Sequence, residues 1–252
     1  METCWEEAGW ERLAPGVARR RLPEWDETVG VVVGRTDILV VDTGATLRAG
    51  AELRALITRL TGRRPTRIAL THPHFDHVLG SAAFAGCEVY GATGMDELLR
   101  RERETLREDA IRHGVDRDAA TEAVDHLVGP HHLVSGELTL DLGDRPVLLA
   151  NVGPGHTAHD LAVLVPGRPE VVFCGDLVEE SGPPQAGPDA IPGRWPAALD
   201  RLLALGGPDA RYVPGHGSVV DAGFVRAQRD ELAARFGVSL QAPTQAPTQP
   251  PN

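Results

Sequence analysis

Apolar residues recur along the chain at two different intervals, which predict strands and helices in turn. Short valine- and isoleucine-rich runs that end in glycine, such as "ETVGVVVG" and "DILVVDTG", are typical of buried strands. The stretch "ATLRAGAELRALITRLTG" instead places Leu53, Ile57 and Leu60 at helical spacing, with Gly62 as its C-terminal stop. Strands and helices then alternate through "PTRIALTH" and "CEVYG". This order predicts a layered α/β architecture.

The pattern changes at about 94–128, where charged residues dominate and apolar residues keep a helical interval. We predict two helices here, broken near Gly114, as a helical insert whose charges face solvent. Strands return in "HHLVSGELTLDLG", "PVLLANVG", "DLAVLVP" and "EVVFCGD". A helix over "RWPAALDRLLALG", the strand "ARYVPGHG" and a helix at about 221–236 complete a single predicted domain at 1–240. The repeated "QAPTQAPTQPPN" at 241–252 predicts a disordered proline-rich tail.

The composition is that of an ordinary globular chain, with 42% hydrophobic and 24% charged residues in 252. A formal net charge of -11 argues against nucleic acids or anionic membrane surfaces as partners. No apolar run approaches the roughly 18 residues that span a bilayer, and the acidic start is unlike a signal peptide. Three widely separated cysteines give no disulfide framework. We therefore expect a cytoplasmic protein that acts on a small molecule, and the sequence predicts no oligomeric state.

The stretch "LTHPHFDHVLG" crowds three histidines and an aspartate into six positions directly after a buried strand. His72 and His74 are two residues apart, so in an extended segment both face one point. If a turn or helix begins near Phe75, then Asp76 and His77 face a second, adjacent point. Imidazoles with a carboxylate suit zinc or a similar divalent metal.

Three further side chains that can bind metals stand at strand ends downstream. His156 follows a strand in "NVGPGHTAHD", Asp176 ends the strand in "VVFCGDLVE", and His216 ends the strand in "RYVPGHG". Each of them alone is an ordinary loop or capping residue. Ligands collect at strand ends in layered α/β proteins, so together with the cluster at 72–77 they predict one metal site.

These motifs, in this order, resemble those of the metallo-β-lactamase-fold hydrolase superfamily. The resemblance rests on T-H-x-H-x-D-H-x-x-G from Thr71 to Gly80, then G-H-T at 155–157, G-D at 175–176 and G-H-G at 215–217. It implies an αββα four-layer sandwich of two mixed β-sheets flanked by helices. It also implies a cleft along one edge that holds the metals.

The resemblance assigns two zinc ions to the site, with iron or manganese as alternatives. The implied ligands are, for one metal, His72, His74 and His156, for the other, Asp76, His77 and His216, and for both, the bridging Asp176. Thr71 and Asp42, the latter in "VDTG", stand beside these ligands without binding metal. Asp42 either orients a histidine or only forms the turn after its strand.

Two metals roughly 3.5–4 Å apart lower the pKa of a bridging water from about 15.7 toward 7 and polarise the substrate oxygen. We therefore predict a dinuclear zinc hydrolase whose metal-bridging hydroxide cleaves a small-molecule ester, lactone or related acyl bond. Asp76 is the predicted catalytic residue, which holds the hydroxide or passes on a proton. Cys174 is predicted to be a buried thiol rather than a nucleophile.

Other chemistries of the same fold remain alternatives. Iron-dependent persulfide dioxygenases keep some of these histidines, and thioesterases and phosphodiesterases share the metal pair. The stretch after His216 is short for the helical domain of the glutathione thioesterases, and the acidic balance disfavours RNA-processing activity. Zinc β-lactamases usually carry cysteine or serine near the place of Asp176. We expect the insert at 94–128 to cover the cleft and to shape the substrate pocket.

Overall fold

The computed structural model describes residues 5–240, and the predicted tail at 241–252 lies outside the described residues. The strands of the described part are β1 Glu11–Ala14, β2 Val17–Leu22, β3 Glu27–Val33, β4 Ile38–Val41, β5 Arg67–Ala69, β6 Glu88–Ala92, β7 His132–Val134, β8 Glu137–Asp141, β9 Pro146–Asn151, β10 Leu161–Val165, β11 Val171–Glu179 and β12 Arg211–His216. Its α-helices are α1 Leu47–Thr61, α2 Phe75–Val78, α3 Met95–Arg101, α4 Arg103–Arg112, α5 Arg117–Asp125, α6 Trp195–Gly206 and α7 Ala222–Phe236.

The strands form two mixed sheets. In the first sheet, β1 to β4 pair antiparallel and β4 to β7 pair parallel. In the second sheet, β8 to β11 pair antiparallel, whereas β11 and β12 are parallel. Within the described residues, strand pairing passes between the sheets where His216 of β12 lies opposite Glu27 of β3.

Buried apolar side chains form three layers, because successive residues of each strand point to opposite faces of its sheet. Along β4, Ile38 and Val40 face the helices outside the first sheet, while Leu39 and Val41 face the second sheet. Helices α1, α3, α4 and α5 cover the first sheet, and α6 and α7 cover the second. The predicted helix–sheet–sheet–helix sandwich is therefore confirmed.

Close backbone contacts hold the histidine motif against the first helix of the sandwich. Thr46 caps the N-terminus of α1, and its side chain accepts a hydrogen bond from Ala49 N at 3.1 Å. Gly80 ends the motif, and a Cβ added there would lie 2.0 Å from Thr43 O. A Cβ added at Gly50 on α1 would lie 2.4 Å from Gly80 O. Only glycine at both positions allows the motif and α1 to come this close.

The insert is helical as predicted, but it contains three helices where the sequence pattern predicts two. The predicted break near Gly114 is present, with a φ of +100°. A second break lies at Glu102, between α3 and α4. It lets α3 pack against β6 while α4 packs against α5 and α2. The hydrophobic interval continues across Glu102, so the pattern could not show this break.

Two arginines of the insert bind within it. Arg103 donates to Val124 O at 3.0 Å, and Arg107 pairs with Asp125 at 3.0 Å. These contacts join α4 to α5.

Among the helices that the structure describes, none has the length and apolar character that crossing a membrane requires.

Candidate metal centre

The histidine motif changes conformation in its middle. It leaves β5 at Ala69 in extended backbone, and His74 is still extended, with φ -83° and ψ 153°. The short helix α2 begins at the next residue, Phe75. The predicted turn near Phe75 is therefore present, and it separates the direction of His74 from that of Asp76.

All seven side chains that the sequence singles out as metal ligands meet in one cluster. Their potential ligand atoms fall into two groups, each with its atoms within 4.8 Å of one another: His72, His74, His156 and Asp176, and Asp76, His77 and His216. Asp176 also faces the second group, because its Oδ1 lies 3.2 Å from His77 Nε2. Its Oδ2 lies 3.5 Å from His156 Nε2. One carboxylate thus stands between the two groups.

Neighbouring glycines make room for this carboxylate. Asp176 belongs to β11, and His216 is the last residue of the adjacent parallel strand β12. A Cβ added at Gly215 would lie 1.8 Å from Asp176 Oδ1, so a larger residue there would displace the carboxylate. Gly175 has a φ of +53°, in the left-handed region that favours glycine. The glycines in the G-D and G-H-G motifs are therefore steric requirements of the cluster.

The donor atoms of the cluster fit a metal better than they fit one another. His72 Nε2, His77 Nε2 and Asp176 Oδ1 are buried and have no hydrogen-bond partner within the described structure. Leaving such an atom unsatisfied costs about 1–3 kcal/mol. Imidazole nitrogens and carboxylate oxygens without thiolates are a donor set for zinc or a similar divalent cation. The residues therefore fit a metal cofactor.

The surroundings oppose protonation of two cluster histidines and favour it at a third. Burial, followed by repulsion from neighbouring imidazoles, lowers the pKa of His72 well below its usual value and that of His156 to about 4. Burial also opposes charge on His216, but the carboxylates of Asp176 and Asp76 outweigh it and raise the pKa of His216 to about 11. The two carboxylates therefore favour a positive charge beside them, which a proton on His216 supplies. A bound divalent cation would supply this charge in place of the proton.

Asp42 lies behind the cluster and joins two of its histidines. Its carboxylate accepts hydrogen bonds from Thr71 N and Thr71 Oγ1, both at 2.8 Å, and contacts His77 Nδ1 at 2.9 Å. Thr71 Oγ1 in turn lies 3.0 Å from His72 Nδ1. Asp42 adopts a φ of +61°, which is uncommon for a residue other than glycine. Asp42 therefore both forms a turn after β4 and fixes the ring of His77.

Sequence reasoning missed three residues at the cluster, and two of them hold its histidines in place. Asp189 Oδ2 lies 3.0 Å from His74 Nε2, on the opposite side of that ring from His156. His216 Nδ1 donates to the backbone oxygen of Trp25 at 2.7 Å. Nothing in the sequence marks Asp189 within its Gly/Pro-rich loop, and a backbone oxygen leaves no sequence signal at all.

The third missed residue is Glu27, which is 1% exposed and lies across the strand pair from His216. Burial, followed by the nearby carboxylate of Asp76, raises the pKa of Glu27 to about 9. Its Oε2 has no hydrogen-bond partner in the described structure. In the sequence it is an ordinary charged residue at the start of a strand.

Three residues near the candidate ligands have contacts that explain them by packing or hydrogen bonding. Trp195 is fully buried, donates to Leu177 O at 3.0 Å, and packs edge-on against His156 with ring centroids 5.2 Å apart. Cys174 is buried, and burial raises the pKa of its thiol, as expected for an unreactive cysteine. His159 Nδ1 lies 2.9 Å from Thr93 O, which ties its loop to the start of the insert.

The insert contacts the metal cluster through aromatic rings. Phe75, between two of the candidate ligands, stacks on His113 at the end of α4, with centroids 5.4 Å apart. Trp25 packs edge-on against Phe75 and donates to His113 O at 3.1 Å. The insert therefore packs beside the second group of candidate ligands. Whether it covers the cleft and shapes the substrate pocket stays a prediction.

Replacing Asp189 by alanine is expected to weaken zinc binding about 10–100-fold, the usual effect of losing a carboxylate that orients a histidine ligand. The physical reason is its contact with His74 Nε2, which directs Nδ1 toward His156. Competition with a chromogenic chelator measures the affinity. Asp189→Asn is the matched control, because it keeps an acceptor oxygen and should retain most of the affinity. Wild-type affinity in Asp189→Ala would show that Asp189 does not orient His74.

The chain belongs to the metallo-beta-lactamase superfamily, whose sequence profile matches residues 22–216. This confirms the family that the motifs indicate, and the same family implies a metal cofactor at the cluster. Two relatives with assigned names are both hydrolases. Hydroxyacylglutathione hydrolase of Nitrosococcus oceani is 29% identical over 155 residues, which cover 62% of this chain and 49% of that protein. Metallo-beta-lactamase type 2 of Bacteroides fragilis is 33% identical over 91 residues, or 35% of this chain and 36% of that protein.

The chain thus spans half or less of the length of these two relatives. Solved structures are similar to this chain over more of its length. A metallo-beta-lactamase from Pontibacter korlensis has a TM-score of 0.69 at 19% identity, covering 88% of this chain and 97% of that one. The DIM-1 metallo-beta-lactamase has a TM-score of 0.69 at 17% identity, covering 90% and 97%. At such identities these likenesses establish the fold alone.

Proposed function

We propose that this protein is a dinuclear zinc hydrolase that cleaves an ester, lactone or related acyl bond of a small molecule. The observation that carries the proposal is the convergence of seven imidazole and carboxylate side chains with buried, unpartnered donor atoms. The names of the relatives support hydrolysis as the reaction class. The acidic net charge of -11 supports a small substrate rather than a polyanion.

In this proposal each group of the cluster holds one metal. His72, His74 and His156 would hold one ion, Asp76, His77 and His216 would hold the other, and Asp176 would contribute to both. When bound, such a pair supplies a water that ionises near neutral pH and a Lewis acid for the acyl oxygen. The same donors accept iron or manganese, and zinc is proposed because imidazole and carboxylate suit it.

The remaining polar groups keep these ligands in their binding orientation. Asp42 contacts His77 Nδ1, which leaves Nε2 free to face the cluster. The backbone oxygen of Trp25 does the same for His216. Holding the ligand rings before the metal arrives lowers the entropy that binding must overcome, so the site is preorganised.

Asp76 is the proposed catalytic residue. Its Oδ2 lies 3.3 Å from His216 Nε2 and 3.5 Å from His77 Nε2, and its side chain is 8% exposed at the cluster. A carboxylate in this place can hold a proton at Oδ and deliver it to the leaving group. No side-chain nucleophile is required, which agrees with the buried thiol of Cys174.

Thioester hydrolysis is the second candidate activity. It is favoured by the 155-residue match to a hydroxyacylglutathione hydrolase. It uses the same ligands and the same proton transfer, so only the substrate separates it from the first candidate.

The cytoplasmic location also remains a prediction.

Elemental analysis followed by a substrate panel tests the proposal. We expect about two zinc per chain, the content of a two-metal site, and hydrolysis of at least one chromogenic ester or lactone. The panel also contains a thioester, a phosphodiester and a cephalosporin. Protein stripped by a chelator should lose hydrolysis and regain it with zinc. A single iron with oxygen consumption on a persulfide would instead show a dioxygenase, and metal-free protein with full hydrolysis would exclude the proposed site.

A further inference from the structure

A groove separate from the metal cluster opens on the first sheet. It lies between the β2–β3 hairpin, the start of α1 and the turn between α4 and α5, and has a volume of about 470 Å³. None of the seven candidate metal ligands lines it. Sites for small molecules usually have volumes of about 300–1,000 Å³, so the groove is large enough for one.

The groove combines an apolar surface with an excess of carboxylates. Its apolar lining includes Leu22, Trp25, Ala49, Leu53, Val115 and Ala119. Four acidic residues line it, namely Glu24, Glu27, Glu52 and Asp116, against two arginines. Arg48 pairs with Glu52 at 2.9 Å, and Arg20 donates to Ala8 O at 2.6 Å. The acidic residues Glu24, Glu27 and Asp116 therefore outnumber the one arginine without a carboxylate partner among the described residues, Arg20.

One of these carboxyl groups lacks the partner that its position demands. Glu27 lines the groove although it is 1% exposed. Its Oε2 is buried without a hydrogen-bond partner in the described structure. An unsatisfied buried carboxyl oxygen is unfavourable, and a donor that enters the groove would satisfy it.

We propose that this groove binds a small amphipathic amine. The ammonium group donates to Glu27, and the apolar body lies against Leu53 and Ala119. An ammonium carries three donors and no acceptor, so it matches a surface of carboxylates better than an alcohol or an acid does. This site borders the metal cluster, because Glu27 lies opposite His216 and Trp25 O accepts the hydrogen bond of that histidine.

Calorimetric titration of the zinc-loaded full chain with phenethylamine tests this proposal. We expect saturable binding of one amine per chain, and at least about tenfold weaker binding of phenethyl alcohol, which lacks the charge. Glu27→Leu, which removes the acceptor oxygen, should raise the Kd of the amine by about tenfold or more. Ala119→Leu, which fills the groove without touching a charge, should weaken binding similarly. The matched control is Glu179→Leu, at a buried glutamate outside the groove, which should leave the affinity unchanged.

Amines also bind metals, so a second measurement distinguishes binding in the groove from binding at the metal cluster. In cobalt-substituted protein, binding in the groove should leave the visible spectrum of the metal unchanged. A spectral change together with wild-type affinity in Ala119→Leu would place the amine on the metals and overturn the proposal. Equal affinity for phenethyl alcohol would overturn it as well. A failed hydrolysis assay would reject the proposed enzyme activity and leave this binding measurement unaffected.

Discussion

Asp76→Ala is expected to lower the rate of hydrolysis by about three orders of magnitude while the fold and one metal remain. The loss has two physical causes. Proton transfer by a positioned carboxylate contributes about 10²–10⁴-fold, and the second ligand group falls from three side chains to His77 and His216 alone. The first group keeps all its members. Initial rates on the panel substrate and metal content per chain measure the two effects.

Two further variants make this result specific. Asp76→Asn keeps the shape of the side chain but cannot take up the proton, so it should retain more metal than Asp76→Ala while remaining slow. Asp209→Ala removes an exposed carboxylate and should behave as wild type. If Asp76→Ala keeps full activity, Asp76 has no part in catalysis and the proposed mechanism is wrong.

Asp176→Ala should be more severe, with loss of both metals and of hydrolysis. This carboxylate lies within 3.6 Å of ring nitrogens from four histidines, which are His72, His77, His156 and His216. Without it, the cluster loses the negative charge shared by the two groups, and Asp76 is the one carboxylate left among five candidate imidazole ligands. Metal content and the zinc-dependent rise in melting temperature measure the effect, since a ligand that binds only the native state stabilises it.

The expected result is a melting temperature that no longer responds to zinc. Asp209→Ala again serves as the control and should keep the zinc response. Retention of about two zinc by Asp176→Ala, the content expected of a two-metal site, would show that Asp176 does not join the two groups. Loss of folding would appear in the circular dichroism spectrum of the metal-free variant, which separates it from loss of metal.

The elements that the sequence predicted well are those whose hydrophobic interval is set by burial on one face. The α1 helix ends at Gly62 as predicted, and the last helix, Ala222–Phe236, lies within the predicted 221–236. The stretch "ERLAPGVARR" can be interpreted from its apolar residues as one short strand, but it contains two, which turn at Gly16. The Pro15-Gly16 pair is a signal for this turn that the strand prediction overlooked. The extra break at Glu102 has no such signal, because the hydrophobic interval continues across it.

The sequence by itself determined the candidate metal ligands, because metal binding demands particular side chains and tight packing around them demands glycine. His216 and Asp176 stand beside such glycines, and the order of the motifs along the chain indicated the family. Tertiary structure alone decided what holds the ligands and what lies next to them. Asp189 contacts a ligand through its carboxylate, Trp25 does so through its backbone oxygen, and Glu27 places a buried carboxyl next to them. These roles depend on position in space, which residue type does not encode.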